Sequence, residues 1–206
     1  MNILVTGGSG FIGKRLVNAL QQDQSNVQLL SRQKHNKNTV VCDFQMDVIP
    51  NDALTDIDMI FHLAGVAHDL HDADTIKDLY RKINVDSTIR LAELAVKSGV
   101  KKFVFISSVK AGGSSIHGKC ASEICHGSPE GFYGRTKREA ELALLKIGRE
   151  SAMHISIIRP SLVYGSNAKG NLKLMLLGVK QGWFPPLPEI GNKRSLIHVD
   201  DLVQAI

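Results

Sequence analysis

The stretch Thr6-Gly7-Gly8-Ser9-Gly10-Phe11-Ile12-Gly13 decides the fold of this chain. Before it, Asn2 to Thr6 is a short, nearly continuous apolar run, as a strand buried on both faces would be. After it, Ile12, Leu16, Val17 and Leu20 recur at helical spacing. The octet itself holds a GxxGxxG (Gly7, Gly10, Gly13) and a GxGxxG (Gly8, Gly10, Gly13). Missing side chains let a backbone turn tightly and approach a pyrophosphate, while free N–H groups at a helix N-terminus supply partial positive charge. A merely flexible turn would share the glycines but would not need a strand before them and a helix after. A dinucleotide site is therefore expected here.

Outward from the turn the alternation continues. Val27 to Leu30 returns to strand character, and further strands are expected near Val40, at Met59 to Leu63, Phe103 to Ser107 and Ile155 to Ile158. Helical patterns separate them around Leu79 to Val96 and Tyr133 to Arg149. This order predicts an α/β fold, a Rossmann-type doubly wound parallel sheet over residues 1–160. Lys110 to Glu130, rich in Gly, Ser and His, reads as one long loop. Past Arg159 the pattern changes: residues 165–170 read as loop, 171–180 as helix, and Phe184 to Pro188 carries three prolines. Residues 161–206 are read as the start of a smaller substrate region. Asp200 looks like the N-cap of a last helix with Leu202, Val203 and Ile206 inside, too short to stand alone, so a truncated piece of a longer protein is expected.

Composition narrows the functional classes. With 206 residues, 43% hydrophobic and 22% charged, the chain has the profile of a globular protein and not of a disordered or fibrous one. No apolar run approaches the roughly 18 residues a membrane span needs, and MNILVTGGSG lacks a basic leader, so no membrane partner and a cytoplasmic location are expected. The net charge of +5 is spread without a basic run, which argues against nucleic acid and suits a small anionic ligand. Cys42, Cys120 and Cys125 are too few for a disulfide framework and read as thiols. His117, Cys120, Cys125 and His126 hold zinc-like donors, but at H-x2-C-x4-C-H spacing, unlike the usual paired ligands, so no metal is assigned. His62, His68 and His71, with Asp69 and Asp72, read as polar loop and helix-start residues.

Two sites specify the chemistry further. At the end of the second strand, where an acidic residue would favour NAD, stand Ser31 and Arg32. A hydroxyl and a guanidinium, with Lys34 and Lys37 nearby, suit a 2′-phosphate, which favours NADP while leaving NAD open. Asp43, followed by Phe44, is the next carboxylate that could reach adenine or ribose. Farther along, Tyr133 and Lys137 form a YxxxK pair whose side chains share one helix face. Alone, that pair describes any exposed helix. Here it follows a glycine turn and the Ser107-Ser108 pair at a strand's C-terminal edge, where open α/β sheets bind ligands. The ammonium would favour phenolate at Tyr133, making the phenol a base, and would hold the nicotinamide ribose.

Taken together, TGGSGFIG, HLAG (62–65), NVDST (84–88), FVFISS (103–108), YGRTK, IIRPSLVYG (157–165) and RSLIHVDDL (194–202) resemble, in order, the motifs of extended short-chain dehydrogenases/reductases, in their nucleotide-sugar epimerase/dehydratase branch. The resemblance implies a catalytic set of Ser108, Tyr133 and Lys137, with Ser107 a second choice to Ser108. It places Phe11, Ile12, Leu63, Ala64, Gly65 and Asn84 around the cofactor, and Asn171, Leu172 and Arg194 at the nucleoside diphosphate.

Departures from the family pattern sharpen the expectation. Dehydratases of the branch carry Thr-Asp-Glu where this chain has Ser108-Val109-Lys110, so water elimination is not expected. Ala111-Gly112-Gly113 replaces a Val-Tyr-Gly, and Leu162 replaces an asparagine that contacts the diphosphate. The resemblance implies a nucleotide-sugar 4-epimerase, UDP-linked, working by transient hydride transfer to NAD or NADP. An NADPH-dependent 4-ketoreductase and a non-catalytic cofactor-binding sensor or scaffold are the alternatives, and the family leaves room for a homodimer.

Overall fold

The computed structural model describes residues 1–46, 48–67, 73–113, 121–123, 127–168, 171–183 and 194–206. Six strands form one sheet: β1 (Asn2–Thr6), β2 (Asn26–Ser31), β3 (Thr39–Val41), β4 (Met59–His62), β5 (Lys102–Ile106) and β6 (His154–Ile158). All pair in parallel, in the order β3-β2-β1-β4-β5-β6. Chain direction reverses its winding between β1 and β4, and the crevice beyond the C-terminal ends of those strands is where such sheets bind ligands.

Strand residues alternate between two cores. Leu4, Leu30, Ile60, Phe103 and Phe105 face one side, where Leu91, Ala92, Ala95, Ala140 and Leu144 pack on them. Ile3, Val5, Val27, Leu29, Phe61, Val104 and Ile106 face the other, against Leu16 and Val17. Burial on both faces is why these strands read as almost unbroken apolar runs.

The helices are α1 (Phe11–Gln22), α2 (Ala73–Arg81), α3 (Ser87–Lys97), α4 (Val109–Gly112), α5 (Gly131–Glu150), α6 (Asn171–Lys180) and α7 (Val199–Ala205), with a short 3₁₀ turn at Asn51–Leu54. Three features correct the sequence reading. The helix expected around Leu79 to Val96 runs without a break over residues 73–97 but widens into a π-turn at Lys82–Asp86, unseen in the sequence because an extra residue in a turn leaves no mark on apolar spacing. The loop expected from Lys110 begins as the helical turn α4, capped by the Ser108 hydroxyl, which accepts from the Lys110 N–H. The last helix is capped by His198, whose ring accepts from Asp200 N–H at 3.4 Å. The Asp200 carboxylate, expected to cap, reaches instead to Arg15 on α1, 3.2 Å away.

β7 (Leu162–Tyr164) and β8 (Leu196–His198) form a separate two-stranded parallel pair, and α7 then returns to the main sheet, where Val203 and Ile206 pack against the second core. Cys42 is a buried thiol. Cys120, Cys125, His117 and His126, like His68, His71, Asp69, Asp72 and the proline segment 184–188, lie outside the described residues. Among the described residues no helix is long and apolar enough to cross a membrane.

Candidate active site

The glycine turn is shaped by contacts that exclude side chains. Gly7 sits at φ 70°, and a Cβ there would lie 2.7 Å from the Ala64 N atom. A Cβ at Gly13 would collide with the Gly7 carbonyl, so α1 can approach β1 and β4 only because both positions are bare. Gly10 caps α1 without any side-chain hydrogen bond, and no acidic residue occupies the first turn. The N–H groups of that turn are thus left for an anionic ligand, and a pyrophosphate has the required charge and size. Phe11 and Ile12, both half-buried, open the helix at this edge.

Beside the turn lies a polar network that the sequence reading did not foresee. His62, grouped there with polar loop residues although inside the expected strand Met59 to Leu63, is the last residue of β4 and is fully buried. Thr88 Oγ1 donates to the Asn84 carbonyl at 2.9 Å, so it must accept from His62 Nε2–H, also at 2.9 Å. His62 Nδ1 then accepts from Thr6 Oγ1 at 2.6 Å, and that oxygen accepts from Ala64 N–H at 3.2 Å. Burial, with Lys137 nearby, pushes the imidazole down to about 3, so it stays neutral and fixes the backbone at Ala64. Asn84, on the π-turn, clasps Val66 with both amide atoms, at 2.9 and 3.0 Å, and donates to Thr136 Oγ1 on α5 at 3.3 Å. Leu63, Ala64 and Gly65 are held in place between these two anchors.

α5 carries Tyr133 and Lys137. Its close docking depends on Gly134, where a Cβ would lie 2.5 Å from the Lys110 carbonyl. That approach brings the half-buried Tyr133 into hydrogen-bonding contact with Ser108 at the cap of α4. One turn on, Lys137 is buried, donates from Nζ to the Ile106 carbonyl at 2.9 Å and lies 4.5 Å above the Phe105 ring. A Cβ at Gly65 would stand 3.3 Å from Nζ, so the lysine comes up directly under the loop that follows β4. Burial pushes the Tyr133 phenol up to about 12, Tyr80 on α2 adds to the rise, and the Ser108 hydrogen bond opposes it. Burial likewise pushes Lys137 down to about 8, with Glu141 pulling the other way. The phenol is therefore at rest a neutral acid, and a positive charge brought close to it would favour phenolate.

The remaining residues fall in three groups. Ser31 ends β2 half-buried, its hydroxyl 3.0 Å from His35 Nε2, and Arg32 is exposed beside it. His35 also lines a cavity of about 220 Å³ with Gly8, Ser9, Lys14 and Asn18, a cluster that sequence reading missed because nothing local tied His35 to the glycine turn. Asp43 is half-buried and accepts from Gln45 N–H at 2.9 Å. The Phe44 ring packs in the core edge-on to His62, 5.9 Å between centroids, so it is the backbone of Phe44 that remains for a ligand. Arg194 is exposed, and the side chains of Asn171 and Leu172 lie outside the described residues.

A doubly wound parallel sheet with a bare-backbone phosphate turn and a tyrosine–lysine pair at the same strand ends defines a class: nucleotide-cofactor proteins of the Rossmann type. Residues 3–206 match the NAD dependent epimerase/dehydratase family, and the chain belongs to that family. It is 36% identical over 218 residues to UDP-glucose 4-epimerase of Vibrio cholerae, across 100% of this chain and 65% of that protein. The chain thus spans just under two thirds of the length of this curated relative. Its structure is similar to MoeE5 in complex with UDP-glucose and NAD, with a TM-score of 0.86 and 28% identity over 100% of this chain and 70% of the other. It is also similar to the Thermotoga maritima UDP-glucose 4-epimerase with UDP-glucose, with a TM-score of 0.80 and 26% identity over 100% of this chain and 72% of that one.

Proposed function

We propose that this chain carries the cofactor-binding and acid–base machinery of a nucleotide-sugar 4-epimerase acting on a UDP-linked hexose. The observation that carries the reading is the Ser108–Tyr133–Lys137 set at the ends of β4 and β5, beside a turn stripped of side chains. The relatives that bind or epimerise UDP-glucose support the same substrate class.

The residues present suit a dinucleotide. Gly7, Gly10 and Gly13 would let the pyrophosphate reach the N–H groups of α1, and Leu63, Ala64, Gly65 and Asn84 would wall the nicotinamide side. Lys137, coming up under Gly65, would hold the nicotinamide ribose. Bound NAD or NADP would supply a hydride acceptor and donor for a sugar carbon. Tyr133 does the proton work: as phenolate it takes the proton of the sugar 4-hydroxyl, with the Ser108 hydroxyl hydrogen-bonded to the same oxygen, and returns it to the keto oxygen after the sugar has turned over. Lys137 stabilises the phenolate, opposing the burial that otherwise keeps the phenol protonated. Neither Val109 nor Lys110 provides the carboxylate that elimination of water would need. The diphosphate would meet Arg194, with Asn171 and Leu172.

Incubating the full-length protein with UDP-glucose tests the reading: UDP-galactose should form without net consumption of cofactor. A second reading rests on Ser31, His35 and Arg32, which offer a hydroxyl, an imidazole and a guanidinium to a 2′-phosphate. It is a 4-ketoreductase that consumes NADPH, and stoichiometric loss of reduced-cofactor absorbance with a UDP-4-keto sugar would select it.

A further inference from the structure

Arg15, one helical turn after Phe11 on α1, directs its three guanidinium nitrogens to three different partners. Nη1 donates to the Phe11 carbonyl at 3.2 Å, Nη2 donates to the Ser166 carbonyl at 2.7 Å, and Nε stands 3.2 Å from the Asp200 carboxylate. The flat face of the same group lies 4.9 Å from the centre of the Phe11 ring. Phe11 opens the first turn of α1, the turn whose N–H groups are left for an anion. Ser166 and Asp200 belong to the other side of the site, within residues 161–206. Ser166 lies two residues after β7, and Asp200 stands in the first turn of α7.

These two distant acceptors form one rigid unit. β7 and β8 pair so that Tyr164 stands opposite His198, and the two rings meet edge to face with 5.1 Å between centroids. Gly165 then turns at φ 147°, where a Cβ would lie 2.6 Å from Val199 Cγ1, so the loop carrying Ser166 is pressed onto the start of α7. A guanidinium can serve such a spread of acceptors because its donors form a fixed planar fork, which a lysine ammonium lacks. Stability gives little reason for the arrangement. Val203 and Ile206 already dock α7 in the second core, and an ion pair whose Asp200 is 64% exposed adds little.

We propose that Arg15 is a positioning residue that ties the nucleotide-sugar side of the site to the cofactor turn, so that the two ligands bind cooperatively. The inference rests on the functional reading above, which puts the sugar nucleotide on Asn171, Leu172 and Arg194, and extends it. With a pyrophosphate on its turn, Phe11 is fixed, and the Arg15 guanidinium carries that order to the Ser166 loop and α7. Arg194 stands two residues before β8 and so belongs to the same unit. When a sugar nucleotide settles that unit, Arg15 holds Phe11 in return, because coupling between two sites is reciprocal. Ordering done for the first ligand is ordering that the second need not do. In a reaction that returns a hydride from the cofactor to the sugar, the consequence is a cofactor retained while sugar is bound.

The test follows exchange of bound NAD for fluorescent etheno-NAD on the full-length, NAD-loaded protein, with and without saturating UDP. In wild type UDP should slow the exchange about tenfold, within the usual range of coupling between sites. In Arg15→Met, with UDP again at saturation and a native melting temperature, the slowing should fall below about twofold. Asp200→Ala removes one tie of three from an exposed position and should leave about a threefold effect. It carries the test alone if Arg15→Met does not fold. A tenfold effect of UDP kept in either folded variant, or no effect in wild type, would overturn the proposal. Conversion of UDP-glucose to UDP-galactose is scored separately. Turnover in a wild type whose exchange ignores UDP removes the coupling and leaves the epimerase reading, whereas UDP-sensitive exchange that depends on Arg15, without turnover, does the opposite.

Discussion

The glycine turn and the α5 face sit at the same sheet edge and are made in opposite ways. The turn is defined by what is missing: no side chain at Gly7 or Gly13, no side-chain cap on α1, and backbone N–H groups left over. The α5 face is defined by polar groups forced into the interior, with Lys137, Glu141 and Thr136 buried on one helix. The first needs only eight consecutive residues. The second needs partners from β5, the π-turn and the end of β6. The proposed cofactor binding thus rests mostly on a local stretch, whereas the proposed chemistry is a property of the assembled interior.

Five experiments test that contrast. Tyr133→Phe should lower turnover about a thousandfold, within the range for loss of a general base, while leaving NAD affinity nearly intact, as paired kinetics and NAD titration would reveal. Gly13→Val should do the reverse and lower NAD affinity at least about a hundredfold, because the new side chain meets the Gly7 carbonyl. Equal losses of binding and turnover in both variants would erase the distinction.

Arg159→Leu leaves the Glu141 carboxylate buried with only Arg138, and should cost about 3 kcal/mol in chemical denaturation. Its pH dependence has a definite sign. Because the folded-state pKa of Glu141 is lowered, its stabilisation is present above the ordinary value of 4.5 and is lost as pH falls through the depressed one. His62, lowered from 6.5 to about 3, contributes in the same direction over a higher window: the unfolded chain takes up a proton that the folded one refuses. Melting temperature should therefore decline between about pH 6.5 and 4 in wild type, and decline less in His62→Gln. The smallest effect is expected at the solvent-facing pair Arg81–Glu139, 2.9 Å apart with both side chains about half exposed, where Arg81→Ala should change stability by less than about 0.5 kcal/mol.

The same contrast explains what sequence could reveal. Asn2–Thr6, Phe11–Gln22 and His154–Ile158 were legible to within two residues, because burial on both sheet faces and one helix face imposes local apolar patterns. The YxxxK pair was legible because four-residue spacing guarantees a shared face. Glu141 continues that spacing, and this was a usable signal, but its partner Arg159 is 18 residues away and no pattern links them. His62 looked like a polar loop residue because Thr6 and Thr88, which satisfy it, lie 56 and 26 residues distant. The π-turn at Lys82–Asp86 was invisible, since the residues that widen a turn are ordinary helix formers. Asp200 was misread as a cap because its salt bridge to Arg15 spans nearly the whole chain.

The central claim is that Tyr133 and Lys137 face the reactive ring of the cofactor that the glycine turn holds. A crystal structure of the full-length protein with NAD and a UDP-hexose tests it directly. The account predicts the Tyr133 hydroxyl within hydrogen-bond reach, about 2.6–3.2 Å, of the sugar O4, with Lys137 on the nicotinamide ribose. A nicotinamide bound elsewhere, with Tyr133 contacting neither sugar nor cofactor, would contradict it.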